Sequence, residues 1–170
     1  MAGNLTLAKK IFKHGSAFVD SAYFCHVEVK SKHFVRTQYL GIPDIMNSAF
    51  ACEVLFKSLL HFYGVPESTI KNCGHHLKKL WDTLCNTDNL FETDCIDFML
   101  NIHGVDDIIS RLQIVDNNFP EARYIYESNN METDRTFLVY FSIGLRDYCC
   151  RKYYGSSWVD FVNAGFHWDS

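Results

Sequence analysis

The chain has 170 residues, of which 48% are hydrophobic and 21% charged, so we expect one globular domain over residues 1–170 and exclude a disordered or collagen-like chain. Three prolines and nine glycines are few for an all-β sandwich, and they favour long helices. The formal net charge of -4 argues against non-specific binding to duplex nucleic acid, which attracts basic proteins.

The first predicted helix covers residues 5–27, with its lysines away from the apolar face. The clearest helix covers residues 43–63, where Pro43 suits the first turn and Gly64 suits the end. Its apolar residues repeat at helical spacing, which predicts a central position in the fold. They are Ile45, Ala49, Cys52, Phe56, Leu59 and Tyr63.

The second half of the chain is also predicted to be helical. Helices are expected over 75–86, 92–103 and 105–114, followed by a turn at 117–120 and an extended strip at 123–127. Thr133 or Asp134 then caps a last long helix, which ends before Gly155. Four large aromatic residues in 156–170 predict that this tail docks on the bundle or on a partner. They are Trp158, Phe161, Phe166 and Trp168.

The cysteines and the N-terminus favour a cytoplasmic protein. The start of the chain lacks the basic and apolar regions of a secretory signal, and no apolar run is long enough for a membrane span. Seven cysteines is an odd number, and we interpret them as reduced, buried residues. Cys73, His75 and His76 lie close together without the paired spacing of a zinc site, so no metal and no cofactor is predicted.

Two sets of charged residues are candidates for ligand binding. Glu53 and Lys57 lie four residues apart in the favourable order for a helical ion pair. The pair is either an ordinary helix ion pair or an element that orders a pocket or a neighbouring loop. Arg123 and Glu127 offer charged partners in the extended strip.

Basic residues also gather on the last long helix, before two tyrosines. Arg146, Arg151 and Lys152 would suit phosphate contacts, and aromatic rings nearby would suit stacking on bases. The alternative is a solvated helix face, because cations near a helix C-terminus are favourable in any case.

Residues 47–64, followed by the Gly-His-His-Leu-Lys-Lys-Leu segment at 74–80, resemble the central helices of HEPN (higher eukaryotes and prokaryotes nucleotide-binding) domains. The Arg-Tyr-x-Tyr-Glu strip at 123–127 resembles a recurrent element of some bacterial members. The resemblance implies an up-down bundle of four to five main helices, usually a homodimer, with roles in toxin–antitoxin or phage-defence systems. Many such domains are metal-independent ribonucleases that use an Arg followed closely by a His.

This chain departs from that motif. Arg146 lies on the helix where the motif is expected, but the positions for its histidine hold Arg151, Lys152 and Tyr153. An arginine does not replace histidine as a general base near neutral pH. We therefore interpret the chain first as a catalytically degenerate domain that binds a nucleotide, an RNA or a cognate protein.

Two alternatives stay open. The chain is a metal-independent endoribonuclease with a non-standard site, for which Arg146, Tyr153, His75 and His76 are the candidates. Otherwise it is a dimeric scaffold whose aromatic tail recruits a partner. A histidine that approaches Arg146 in space would favour the enzyme.

Overall fold

The computed structural model describes residues 3–31, 41–123 and 132–165 of the chain. Every regular element in these residues is a helix, so the predicted all-α fold is confirmed. The helices are α1 (Leu5–Ser31), α2 (Gly41–Phe62), α3 (Glu67–Cys73), α4 (Leu77–Thr87), α5 (Phe91–His103), α6 (Ile108–Val115), α7 (Asn118–Arg123), α8 (Arg135–Tyr154) and α9 (Trp158–Asn163).

Helix α2 is the centre of the fold, as its apolar stripe predicts. Most of the stripe is fully buried, and Phe56 has no exposed surface. The chain leaves the helix through Gly64, whose φ of 76° lies in the left-handed region that glycine adopts without strain. The helix therefore ends where the sequence places its stop signal.

Helices α1 and α2 are antiparallel, and hydrogen bonds join them near one end. The Asn4 N–H donates to the carbonyl of His61 at 3.0 Å, and the Ser58 hydroxyl donates to the carbonyl of Ala8 at 2.7 Å. Helix α8 runs in the same direction as α2, since Arg135 at its start bonds to Asp44 at the start of α2, and Tyr153 near its end bonds to Ser58 near the end of α2.

Aromatic rings fill the interior between α2, α4, α5 and α8. Trp81 lies 6.0 Å from Phe56 and 5.0 Å from Phe91, measured between ring centres. Phe141 of α8 completes the group at 5.9 Å from Phe56. The high aromatic content of the sequence is therefore used largely in the core, where such rings bury large apolar areas.

Helix α8 has defined signals at both ends. Asp134 is its N-cap, and the Asp134 carboxylate accepts a hydrogen bond from the Phe137 N–H at 3.0 Å. Gly155 follows the helix with a left-handed φ of 68°. The short helix α9 then returns to the bundle, where Phe161 lies 4.5 Å from Tyr154 between ring centres. Residues 166–170 lie outside the described part, and they include Phe166 and Trp168.

The structure corrects several predicted elements. A turn was expected at residues 117–120, but α7 begins there, because Pro120 in a first helical turn loses no hydrogen bond. The sequence analysis also missed α3 and α9, which have only six or seven residues each. The predicted strip at 123–127 begins at Arg123, the last residue of α7, and residues 124–131 lie outside the described part.

Among the described residues, no helix combines the length and apolar character that crossing a bilayer requires. Within residues 3–31, 41–123 and 132–165, no group of three or more His, Cys, Asp or Glu side chains is placed to hold a metal ion.

Candidate functional site

Glu53, Lys57 and His75 meet at one place, although the sequence separates His75 from the other two. The Lys57 Nζ donates to Glu53 Oε1 at 2.7 Å. The Nδ1 atom of His75 lies 2.9 Å from Glu53 Oε2 and 3.0 Å from Glu53 Oε1. Glu53 thus joins α2 to the segment between α3 and α4, where His75 lies.

Exposure differs sharply between the acid and the base of this site. The Glu53 side chain is only 3% exposed, whereas the His75 side chain is 49% exposed. A buried carboxylate needs charged or hydrogen-bonding partners, and Lys57 and His75 supply them. The imidazole is therefore anchored from inside the protein while its outer edge meets solvent.

The anchoring contact selects one tautomer of His75. An ionised carboxylate accepts hydrogen bonds only, so Nδ1 must carry the proton that it donates to Glu53. The Nε2 atom of the neutral ring is then left with a lone pair, and no described residue bonds to it. That atom is suited to accept a proton from a substrate.

His76 repeats this arrangement next to the first histidine. Its Nδ1 lies 3.2 Å from Asp116 Oδ2, and its side chain is 40% exposed. The same carboxylate accepts the Lys78 N–H at 2.6 Å and so caps the first turn of α4. Asp116 follows α6, so residues from both halves of the chain fix the two histidines.

An aromatic surface adjoins the histidines. The ring of Phe119, in α7, lies 5.3 Å from His75 and 4.7 Å from Phe50, measured between ring centres. Phe50 and Phe119 are stacked with their planes 22° apart. We call Glu53, Lys57, His75, His76 and Asp116 the histidine site.

The sequence predicts that Arg146 lies on an exposed basic face of α8. The structure instead places Arg146 in a buried position. It is 8% exposed, and its Nη1 donates to Asp20 at 2.5 Å. Its guanidinium also lies 4.3 Å from the centre of the Trp158 ring. Burial lowers the pKa of Arg146, and the contact with Asp20 opposes this shift. Helix α8 is central rather than peripheral, which its mixed sequence does not reveal.

Asp147 and His103 form a contact that the sequence analysis missed. The Nε2 of His103 lies 3.2 Å from Asp147 Oδ2, and the Trp158 N–H donates to Asp147 Oδ1 at 2.7 Å. Burial alone would raise the pKa of Asp147, but the hydrogen bonds from His103 and Trp158 and the charge of Arg151 lower it below its usual value. His103 comes from α5, so no spacing on α8 could have indicated it.

The other basic candidates on α8 are also next to carboxylates. Arg151 Nε lies 3.6 Å from Asp147, and Lys152 Nζ lies 3.7 Å from Asp94. Both cations also lie over aromatic rings, Arg151 over Phe98 at 5.5 Å and Lys152 over Tyr148 at 5.2 Å. Their positive charge is partly balanced within the protein.

Tyr153 lies inside the bundle, away from solvent. Its hydroxyl is 2.7 Å from the Ser58 hydroxyl, and the residue is 6% exposed. Burial raises the pKa of Tyr153 well above its ordinary value, so the phenol stays protonated. The side chain of Arg123 and the whole of Glu127 lie outside the described part of the structure.

Contacts between a histidine and a carboxylate are common in this protein, so the contact alone does not identify a site. His26 also bonds to a carboxylate, that of Asp44 at 3.2 Å, but both residues are buried. His61 lies 3.4 Å from Glu67, which is well exposed. The histidine site alone among these described pairs combines a buried acid, a half-exposed imidazole and a neighbouring lysine.

Comparison with known protein families, with curated proteins and with solved structures finds no match to this chain.

Proposed function

We propose that the protein is a metal-independent endoribonuclease on a HEPN-like helical bundle, with His75 and His76 as its acid–base pair. One observation carries the proposal: two histidines adjacent in sequence are each held through Nδ1 by a carboxylate, and no described residue bonds to either Nε2. This favours the enzyme over the degenerate binding domain, because the basic residues of α8 already have carboxylate partners.

The chemistry needs no metal ion. One neutral imidazole removes the proton of a ribose 2′-hydroxyl, whose oxygen attacks the adjacent phosphorus. The second imidazole, protonated, donates its proton to the 5′-oxygen as the P–O bond breaks. The products are a 2′,3′-cyclic phosphate and a 5′-hydroxyl end. Lys57 is ion-paired with Glu53 at 2.7 Å, so its role here is to hold the carboxylate that anchors His75.

The test is cleavage of a fluorescent single-stranded RNA by the purified protein in EDTA. We expect cyclic-phosphate products, a bell-shaped pH profile and no cleavage where 2′-deoxyribose replaces the ribose. The change His75→Ala should reduce the rate by about 10² to 10⁴, the usual contribution of general acid–base catalysis. His14→Ala is the matched control, because His14 is exposed on α1 and outside the histidine site.

Cleavage that survives in a double variant with His75→Ala and His76→Ala would refute the proposal, as would the absence of any cleavage. The variant Glu53→Gln tests separately whether Glu53 positions the His75 ring. The variant should keep some activity but shift the pH profile, because the amide holds Nδ1 without stabilising a charged ring.

RNA or nucleotide binding without cleavage is the second candidate, and the observation that favours it is the cation–ring contacts on α8. Arg146 is buried over Trp158, but Arg151 is 45% exposed and lies over Phe98. If this face binds RNA, retention should weaken with salt and with Arg151→Ala. In that case RNA is retained intact by the wild-type protein.

We also propose that the protein is a homodimer, with α9 in the contact. Val159 and Val162 of α9 are 64% and 51% exposed, so α9 presents two apolar side chains that a second copy of the chain would bury. Light scattering should report twice the mass of the 19.7 kDa chain. The double change Val159→Asp and Val162→Asp should return the measured mass to that of the monomer, while a monomeric wild type would refute the dimer.

A role in bacterial defence or toxin–antitoxin systems, and a cognate protein partner, remain predictions from the resemblance.

A further inference from the structure

A cavity lies between the first half of α1 and the end of α8, and three of its five lining residues are lysines. It has a volume of about 290 Å³ and is lined by Thr6, Lys9, Lys10, Lys13 and Tyr154. Four of these residues share one face of α1, at positions that are three or four apart. We call this cavity the lysine pocket. None of its residues belongs to the histidine site.

Two of the three lysines in the pocket have no described acidic partner. No described carboxylate forms an ion pair with Lys9 or Lys10, although most other described cations have such a partner. The first turn of α1 contains no acidic residue either, so its positive end is not balanced locally. Like charges this close repel one another, and an anion between them would relieve the repulsion.

Tyr154 forms the wall that faces the lysines. The Lys9 Nζ lies 4.2 Å from the centre of the Tyr154 ring, so the ring holds this side chain across the cavity. Burial raises the pKa of Tyr154. Its phenol is therefore a hydrogen-bond donor at neutral pH, like the hydroxyl of Thr6.

We propose that the lysine pocket binds an oligophosphate group, such as the phosphate chain of a nucleoside triphosphate or the 5′-triphosphate end of an RNA. Lysine ammonium groups are compact point charges that suit phosphate oxygens, whereas planar carboxylates are better matched by arginine. The volume is close to the lower limit of small-ligand cavities, about 300 Å³, so it accommodates a phosphate chain rather than a large ligand. This inference does not rest on the proposed ribonuclease activity.

The experiment is calorimetric titration with inorganic tripolyphosphate at low salt. We expect one site per chain, and we expect the double variant with Lys9→Gln and Lys10→Gln to weaken binding about tenfold or more. The double variant with Lys71→Gln and Lys79→Gln is the matched control. It removes the same charge at exposed lysines elsewhere and should change the affinity less than about twofold.

Three outcomes overturn the proposal: no binding of tripolyphosphate at about 1 mM, several weak sites per chain, or equal losses in the two double variants. Melting temperatures establish that both variants are folded. Tighter binding of ATP than of tripolyphosphate indicates a mononucleotide as the source of the phosphates. Tighter binding of an RNA with a 5′-triphosphate than of the same RNA with a 5′-hydroxyl indicates an RNA end. His75→Ala should leave the affinity for tripolyphosphate unchanged, which separates this proposal from the ribonuclease.

Discussion

The Glu53–His75 pair and the Asp147–His103 pair are similar contacts in different surroundings. In the first, the carboxylate is buried while the imidazole is half exposed, and Lys57 provides a cation. In the second, both side chains are largely enclosed, and Asp147 also holds the first N–H of α9 at Trp158. The two contacts therefore differ in exposure: the His75 side chain is 49% exposed, and that of His103 is 20% exposed.

A substitution in the hydrophobic core should have the largest effect on stability. Phe56 is fully buried between Trp81 and Phe141. The change Phe56→Ala should lower the free energy of unfolding by about 3–5 kcal/mol, the usual range for a buried aromatic residue. Phe24→Ala is the control, because Phe24 is 64% exposed and its loss should have little effect. Equal effects of the two changes in urea denaturation would mean that α2 is not central.

Removal of Asp147 should have the next largest effect. Asp147→Ala leaves the enclosed His103 ring and the Trp158 N–H without their acceptor. Each unsatisfied polar group is costly, so we expect a loss of about 2–3 kcal/mol. A loss below about 0.5 kcal/mol would show that this pair does not join α5 and α9 to α8, and would weaken the contrast with the histidine site.

The Asp147–His103 pair should also make the free energy of unfolding depend on pH in the acid range. The pKa of Asp147 is lower in the folded protein than in the unfolded chain. Its ionised form therefore stabilises the fold above the unfolded pKa of about 3.9, and this contribution is lost as the pH falls through the folded pKa. The difference in unfolding free energy between the wild type and Asp147→Asn should be constant near neutral pH and shrink below about pH 4. A difference that grows on acidification would contradict the assignment.

Arg146→Ala should have a smaller effect than the loss of Asp147. Asp20, its partner, is 66% exposed, so the ion pair itself contributes little. The loss comes from the guanidinium over Trp158 and from its packing, and we expect about 1–2 kcal/mol. Arg151→Ala is the control, since Arg151 is exposed. If Arg146→Ala leaves the melting temperature unchanged, the residue is held for a ligand rather than for the fold.

The sequence predicted α2 well because its burial follows a helical period without interruption. Helix α8 was harder, since its buried residues include Arg146 and Asp147, which a hydrophobic pattern assigns to the surface. The Glu53–Lys57 pair was visible from its spacing on one helix. The contact with His75 was not, because it depends on how the loop after α3 crosses α2. The same limit applies to His103, which only tertiary packing brings to α8.

The change His75→Ala should have the smallest effect on stability. It tests most directly whether the Glu53–His75 pair differs from the Asp147–His103 pair. The ring is half exposed, and Glu53 keeps Lys57 as a partner when the imidazole is removed. We therefore expect a loss below about 1 kcal/mol in urea denaturation. If His75 were held only to fasten the loop before α4, its removal should cost as much as the loss of Asp147. A small change in stability together with a large loss of RNA cleavage separates an imidazole held for chemistry from one held for structure.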